Sequence, residues 1–231
     1  MTDADLVRTR RSLHAVAELV LAGPQWRQSA DIRLRVIPGG FRTVAAPDLR
    51  VTGADVISGN DRHRIAGNSA TLAAALGVTA GMPEGVYHEG SGLAATDELT
   101  LNPDAAQRII AAFEIGDSAL RLLAPGEEPV LWPEHFDVGI RVDDINYGVS
   151  PGDGYLAEPY AYVGADPIPG DPFWNAPFGA ARPMTEFSDA AAVRAFFAEG
   201  RDRRPTLGDA GSQHVAEDRR IRTGDATESS R

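Results

Sequence analysis

The chain contains no cysteine, no lysine and no long apolar run. Without cysteine, disulfides, thiolate catalysis and cysteine-ligated zinc or iron–sulfur centres are excluded. No apolar run reaches the roughly 18 residues that a membrane-spanning helix needs. The N-terminus has no basic segment followed by an apolar one, so it predicts the start of a helix and not a signal peptide. These absences favour a cytoplasmic location and no membrane partner.

The missing lysine leaves arginine as the carrier of all 22 positive charges, against 33 carboxylates and a net charge of -11. A protein this acidic repels phosphate backbones, which argues against nucleic acid as its main partner. The charge is uneven, since residues 1–64 carry ten arginines and seven acids, whereas residues 127–171 carry one arginine and ten acids. The acidic surplus therefore belongs mainly to one stretch of the second half.

The periodicity of the 231-residue chain predicts an α+β fold, with a mainly antiparallel sheet covered by three main helices. The helices are expected at 4–22, ended by Gly23-Pro24, at 103–124, begun by Asn102-Pro103, and at 189–199, ended by Gly200. Alternating apolar residues predict strands, among them 31–37, 135–142 and the YAYVG segment, and a hairpin around Gly59-Asn60-Asp61.

We expect one domain over residues 1–200, with two halves at 1–100 and 101–200 as the alternative. Residues 201–231 contain no aromatic and hardly any aliphatic residue, so they are predicted to be a disordered tail. The sequence leaves the oligomeric state open.

The most specialised stretch is LWPEHFDVGIRVDDINYGVSPGDGYLAEPYAYVGADPIPGDPFWNAPF, residues 131–178. It holds nine of the sixteen aromatic residues and most of the ten clustered carboxylates. Carboxylates and rings together can hold a cation or line a pocket.

The motifs LWPEHFD, NYG, SPGD, EPY, YVG and FWNAPFGA of this stretch resemble those of a family of uncharacterised actinobacterial proteins. The resemblance covers roughly residues 10–182. It implies a cytosolic bacterial protein and transfers no catalytic role to any residue.

His135 and Asp137 are the candidate catalytic pair. Two residues apart on a strand, they would point to the same face, with His135 as acid/base and Asp137 orienting it. A purely structural network is the alternative, and a metal facial triad is a weaker one, because its distal histidine would have to be His214 in the predicted tail.

Other patterns in the stretch are rejected. Counting from Asp144, a calcium loop would place Tyr155 where a bidentate glutamate is required. The segment Ser150–Gly154 lacks the Gly-Lys-Ser/Thr end of a phosphate-binding loop. No Gly-x-Ser-x-Gly nucleophile elbow occurs. We therefore expect no metal site and no cofactor.

A ligand pocket remains, with rings and carboxylates as its walls, Asn175 as a polar group and Asp117 as a half-buried carboxylate of the long helix. The candidate ligand-binding residues are Trp132, Glu134, Tyr147, Glu158, Tyr160, Tyr162, Trp174, Asn175 and Asp117. Alternatively, the rings form the core of a small sheet, and Arg33 and Arg35 neutralise the acids.

Three functions remain open. The first is a small-molecule-binding protein, with or without enzymatic activity, for a cationic or amine-bearing ligand. The second is a non-catalytic interaction module that docks a basic partner. The third is a metal-dependent oxygenase or hydrolase.

Overall fold

The computed structural model describes residues 2–88 and 90–204, so the predicted tail from 205 onward and His214 lie outside the described residues. In the part of the chain that is described, ten strands form one antiparallel sheet. The predicted α+β fold with a mainly antiparallel sheet covered by helices is confirmed. The strands are β1 (Leu34–Ile37), β2 (Gly40–Thr43), β3 (Leu49–Thr52), β4 (Asp55–Ser58), β5 (Asp61–Arg64), β6 (Val130–Trp132), β7 (Asp137–Val142), β8 (Ile145–Ser150), β9 (Tyr160–Gly164) and β10 (Gly179–Pro183).

Within the described ranges, five α-helices accompany the sheet. They are α1 (Asp3–Ala15), α2 (Gly23–Ser29), α3 (Ser69–Ala75), α4 (Pro103–Leu123) and α5 (Ala190–Asp202), with a π-helical segment at Val16–Ala22 and a 3-10 turn at Met184–Glu186. In the described part of the chain, none of these helices is long and apolar enough to cross a membrane.

The sheet consists of two meanders joined side by side. Its order is β10-β9-β8-β7-β6-β1-β2-β3-β4-β5, and the junction is the pairing of Leu34 in β1 with Leu131 in β6. We call β1–β5 the N-terminal half-sheet and β6–β10 the C-terminal half-sheet. The sheet is thus continuous across the two predicted halves.

One face of the sheet forms the main core, because alternate strand residues are apolar and point toward the helices. Phe41, Val138 and Val149 are fully buried on this face, and Phe113 of α4 is buried against it. Gly116 lets α4 approach closely, since a Cβ there would lie 2.7 Å from Val149 Cγ2. Each fully buried large apolar side chain contributes roughly 1.5–3 kcal/mol.

The predicted end of the first helix at Gly23-Pro24 is wrong. The chain stays helical through the π segment and α2, and Pro24 lies in the first turn of α2. Gly23 is required by packing, because a Cβ there would lie 1.6 Å from the carbonyl oxygen of Gly81. Only a tertiary contact distinguishes this glycine from a helix terminator.

The last helix also extends past its predicted end. Helix α5 continues to Asp202, and Gly200 lies inside it. A Cβ on Gly200 would come within 2.9 Å of the Val163 methyl groups, so this glycine allows α5 to contact β9.

The opposite face of the sheet, which we call the outer face, differs between the half-sheets. On the N-terminal half-sheet, Arg35, Arg42 and Arg50 stand side by side in register on β1, β2 and β3. On the C-terminal half-sheet, a second apolar cluster includes Tyr160 and Phe178. The outer face of the C-terminal half-sheet also carries part of the predicted site.

Candidate ligand-binding cleft

An open cleft of about 1610 Å³ crosses the outer face of the C-terminal half-sheet. Strands β6 to β9 form its floor, while α1 and the segments 150–153 and 165–168 contribute to its walls. In ordinary register, residues paired across neighbouring strands point to the same face. That rule explains why Trp132, Asp137 and Tyr162 all reach the cleft.

Asp137 at the start of β7 lies at the floor of the cleft and is buried, with 9% of its surface exposed. The Tyr162 hydroxyl on β9 donates a short hydrogen bond to Asp137 Oδ2. Within the described residues, the other carboxylate oxygen, Oδ1, is buried and accepts no hydrogen bond. An unpartnered buried carboxylate oxygen is costly, so its presence needs an explanation.

Two glycines create the path by which Tyr162 reaches Asp137 across the intervening strand β8. A Cβ on Gly148 would lie 2.5 Å from Tyr162 Oη and 2.6 Å from Cζ, and a Cβ on Gly139 would lie 3.3 Å from Oη. The tyrosine ring therefore lies over Gly148, where a side chain would exclude it. Glycine in a strand interior commonly marks such a close approach.

The environment of this pair shifts both pKa values upward. Burial raises the pKa of Asp137, and the Tyr162 hydrogen bond opposes that shift only in part. Burial, together with the neighbouring Asp137 carboxylate, raises the pKa of Tyr162 well above its ordinary value. The hydroxyl is thus a permanent donor, and the carboxyl can change its proton occupancy in response to a nearby cation.

Aromatic rings border the carboxylate. Trp132, directly opposite Asp137 on β6, is 36% exposed. Tyr160, Tyr162 and Phe178 form a contiguous cluster, with ring centroids 6.3–6.4 Å apart. Tyr160 is fixed by a 2.5 Å hydrogen bond from its hydroxyl to Asp153 Oδ2. The cleft therefore offers ring faces around a buried carboxylate.

Helix α1 closes one end of the cleft. His14 Nε2 donates to the Pro133 carbonyl at 2.8 Å, and its ring stacks on Phe136 at 5.3 Å. Burial lowers the pKa of His14 to about 4, so the ring is neutral at pH 7. Arg10 donates to the Ala157 carbonyl at 3.0 Å, and burial lowers its pKa as well.

The lining of the cleft is acidic in sum. Three arginines line it against seven carboxylates, which are Glu127, Glu128, Glu134, Asp137, Asp144, Asp153 and Asp166. A concave surface of one charge sign concentrates ligands of the opposite sign. The electrostatics of the cleft thus favour a cationic ligand.

A second buried polar cluster adjoins the cleft through Ser91. Glu18 of the π segment is buried, and its Oε2 accepts from Ser91 N at 3.1 Å and from Ser91 Oγ at 2.8 Å. Burial raises the pKa of Glu18. Tyr87 Oη is buried close by and has no hydrogen-bond partner among the described residues. π-Helical turns often mark functional segments, but neither Glu18 nor Tyr87 lines the cleft.

The structure brings six of the predicted site residues together. Those that line the cleft are Trp132, Glu134, His135, Asp137, Tyr160 and Tyr162.

The other five predicted residues lie elsewhere. Tyr147 is buried on the helix-facing side against Phe197. Trp174 belongs to the main core, and Asn175 holds the backbone of Ala181 through two hydrogen bonds.

The last two of these five are carboxylates held in ion pairs. Asp117 pairs with Arg121 at 2.8 Å, and Glu158 pairs with Arg108 at 2.5 Å. Neither of them lines the cleft.

His135 and Asp137 do not share a strand as predicted. Strand β7 begins at Asp137, and the preceding residue, Phe136, has a φ of 54° because residues 133–136 form a turn. This turn leaves His135 exposed, with Glu134 Oε1 3.9 Å from its Nε2, while the carboxylate of Asp137 bonds to Tyr162. The predicted orienting hydrogen bond from Asp137 to His135 is therefore wrong, although both residues line the cleft.

Part of the acidic charge is neutralised internally. Arg35 pairs with Glu128 at 2.7 Å and Arg33 pairs with Asp31 at 2.6 Å, so these two ion pairs involve acids outside residues 131–178. Over residues 2–88 and 90–204, no group of three or more His, Cys, Asp or Glu side chains could hold a metal ion.

Sequence reasoning missed Arg10, His14 and Ser91, which also line the cleft. They lie far from residues 131–178 in the chain. His14 occupies the apolar side of an amphipathic helix, and that placement was the only signal in the sequence.

A scan against protein-family models, a search of curated proteins and a search of solved structures each found no match to this chain.

Proposed function

We propose that the protein binds a cationic or amine-bearing ligand in the cleft, with Asp137 as the anchoring carboxylate. The observation that carries this proposal is the unpartnered Oδ1 of Asp137, buried at the cleft floor. An ammonium or guanidinium group that displaces the side chains covering Oδ1 would supply the missing donor and neutralise the buried charge.

The surrounding groups fit the same chemistry. The Trp132 ring and the tyrosine cluster present faces that attract a cation, with roughly 0.5–2 kcal/mol for each well-placed ring. The acidic surplus of the lining attracts positive ligands over a longer range. Hydroxyl donation by Tyr162 fixes one oxygen of Asp137 and leaves the other for the ligand.

A titration with matched probes tests this function. Cadaverine carries two ammonium groups, whereas 1,5-pentanediol has the same length and no charge. Isothermal titration calorimetry at low ionic strength should show binding of cadaverine and none of the diol. Absence of cadaverine binding, or equal binding of both compounds, contradicts the proposal.

Two variants of equal charge separate the site from general electrostatics. Asp137→Asn should weaken cadaverine binding at least tenfold, about 1.4 kcal/mol or more. Asp61→Asn removes one carboxylate from β5, outside the cleft, and should leave the affinity within about twofold of wild type. Equal losses of affinity in both variants would mean that the net charge of the protein, and not the cleft, determines cadaverine binding.

A second candidate function is the docking of a basic macromolecular partner. Small-molecule pockets usually measure about 300–1,000 Å³, and this open cleft is larger. Trp132, Tyr155 and Ile168, three of the large apolar side chains most exposed in the described part of the chain, lie in it or beside it. Exposed apolar groups that cluster at an acidic cleft are typical of a protein-binding surface.

A tetra-arginine peptide serves as the probe for this second function. Fluorescence anisotropy should show binding that is lost at ~0.5 M salt, where charges are screened beyond a few ångströms. Binding that does not change with salt concentration, or the absence of binding, contradicts this second function.

A further inference from the structure

The arginines of the N-terminal half-sheet form a cross-strand row that the proposed function does not use. Arg35 pairs in register with Arg42, and Arg42 pairs with Arg50, so three guanidinium groups stand side by side on the outer face. Two strands further, Arg62 pairs in register with Ile57 of β4 and extends the row to β5. We call these four residues the arginine row.

Such a row opposes stability. Like charges directly opposite each other on neighbouring strands are destabilising, because their side chains are only about 5 Å apart. Neighbouring acids compensate in part, since Arg42 pairs with Asp48 at 2.9 Å and Arg62 pairs with Asp55 at 2.7 Å. Arg50 forms no ion pair with any residue in the described ranges. Arg35 is paired as well, with Glu128 at 2.7 Å, so Arg50 is the member of the row whose charge a partner would neutralise.

The strongest acidic surface that the described chain offers to this row is its own cleft. The row and the cleft lie on the same outer face, on opposite sides of the β1–β6 junction. At a strand spacing of about 4.8 Å, the row spans about 19 Å and the floor of the cleft about 14 Å. Their charges are opposite and their widths are similar.

We propose that two copies of this chain associate face to face, with the arginine row of each copy seated in the acidic cleft of the other. A two-fold axis parallel to the strands, above the β1–β6 junction, places each half-sheet over the opposite half-sheet of the second copy. Such an interface is isologous and closes at two subunits. The strands of the two sheets then run nearly aligned, which is a common packing of sheets.

This inference rests on the proposed function, because it makes guanidinium groups of the second copy the cationic occupants of the cleft. Arg50 is the best candidate to enter the cleft, since no carboxylate in the described residues competes for it. The two-fold axis sets β3 over β8 of the second copy, and the strand register then places Arg50 above Gly148. The Tyr162 ring that covers Gly148, and the Asp137 carboxylate one strand away, are the groups that would receive it.

Salt dependence gives the first test. Sedimentation equilibrium at ~20 mM salt should show twice the 24.6 kDa mass of one chain, and at ~0.5 M salt the mass of a monomer. Repulsion between two chains of net charge -11 would give the opposite salt dependence, because salt screens that repulsion and would promote association. A monomer at low salt up to ~100 μM, or association that increases with salt, overturns the inference.

Charge reversal gives the second test. Arg50→Glu and Glu134→Arg should each be monomeric at low salt, because each variant would meet like charge twice in its own dimer. An equimolar mixture of the two variants should restore the dimer mass, since the reversed charges face each other at one contact and the native charges face each other at the other. A mixture that stays monomeric overturns the pairing of row and cleft.

Two controls separate this result from misfolding and from the ligand site. Arg194→Glu reverses an exposed arginine on α5, away from the outer face, and should remain dimeric. Arg50→Glu places a carboxylate opposite Arg42, so at ~0.5 M salt, where both proteins should be monomeric, its thermal midpoint should equal or exceed that of wild type. If Arg50→Glu stays dimeric, or if Arg194→Glu becomes monomeric, the inference fails. Cadaverine binding by Arg50→Glu tests the proposed function independently of dimerisation.

Discussion

Replacement of Asp137 by asparagine should abolish ligand binding without unfolding the protein. The amide oxygen can still accept from the Tyr162 hydroxyl, while the buried negative charge disappears. A hydrogen bond to a charged group contributes about 1.5–3 kcal/mol and a neutral one about 0.5–1.5 kcal/mol, so the bond weakens by about 1 kcal/mol. Removing the buried charge offsets that loss, and the free energy of unfolding should stay within about 1 kcal/mol of wild type.

The companion variant Tyr162→Phe should behave differently. It deletes the one hydrogen-bond donor to the Asp137 carboxylate in the described residues and leaves both oxygens without partners. We expect a loss of about 2–3 kcal/mol, because a buried charged acceptor becomes unsatisfied. In the Asp137→Asn background the same substitution should cost only about 1 kcal/mol, which gives a coupling energy of about 1–2 kcal/mol.

Urea unfolding of wild type, both single variants and the double variant measures this cycle. The change of the unfolding free energy with pH gives a further test, because its direction is predicted. Because burial raises the folded-state pKa of Asp137, the folded protein holds its proton more tightly than the unfolded chain does. Stability is therefore lost as pH rises through that raised pKa, and Asp137→Asn should lack this loss. The reasoning is refuted if Asp137→Asn costs more than about 3 kcal/mol, or if the coupling is zero.

Three further perturbations test the fold around the site. Wild type should lose about 3 kcal/mol of stability as pH falls from about 6.5 to about 4, because the lowered pKa of His14 makes the unfolded chain bind the proton first. His14→Phe keeps a ring at this position and should remove that loss. Urea unfolding at several pH values measures the effect, and an unchanged pH profile contradicts it. Gly148→Ala should cost at least about 2 kcal/mol and abolish cadaverine binding, because its Cβ would overlap Tyr162; a variant that binds normally by calorimetry would show that the ring position is not required. Gln25→Leu should cost about 3 kcal/mol in urea unfolding, because the buried amide bonds four backbone groups at 2.7–2.9 Å; a loss below 1 kcal/mol is the contrary outcome.

Local signals in the sequence were sufficient for much of the fold. The Asn102 side chain caps α4 by accepting from Asp104 N and Ala105 N, as the Asn-Pro-Asp sequence predicts. Alternation of apolar residues predicted strand segments, because one face of each strand must be buried. The stretch 131–178 was identified by composition alone, and six of its predicted residues line the cleft.

Other features depend on contacts between residues far apart in the chain. Gly23 has the sequence of a helix terminator, but the helix continues past it, and the close approach of the Gly81 carbonyl oxygen explains why this residue is glycine. The pairing of His135 with Asp137 was expected from strand periodicity, but the positive φ of Phe136 breaks that periodicity. A turn of this kind is decided by packing, since Phe136 is buried against other rings.

The sequence alone predicted the main helices and several strands, and it singled out one stretch that is rich in acidic and aromatic residues. These properties follow from local backbone preferences and from side-chain alternation, which act over a few residues. Only the tertiary structure decided that Tyr162 crosses Gly148 to reach Asp137, and that α1 closes the cleft. Only strand register placed Arg35, Arg42 and Arg50 in one row beside that cleft. Register and packing join residues that are distant in sequence, so no local pattern can encode them.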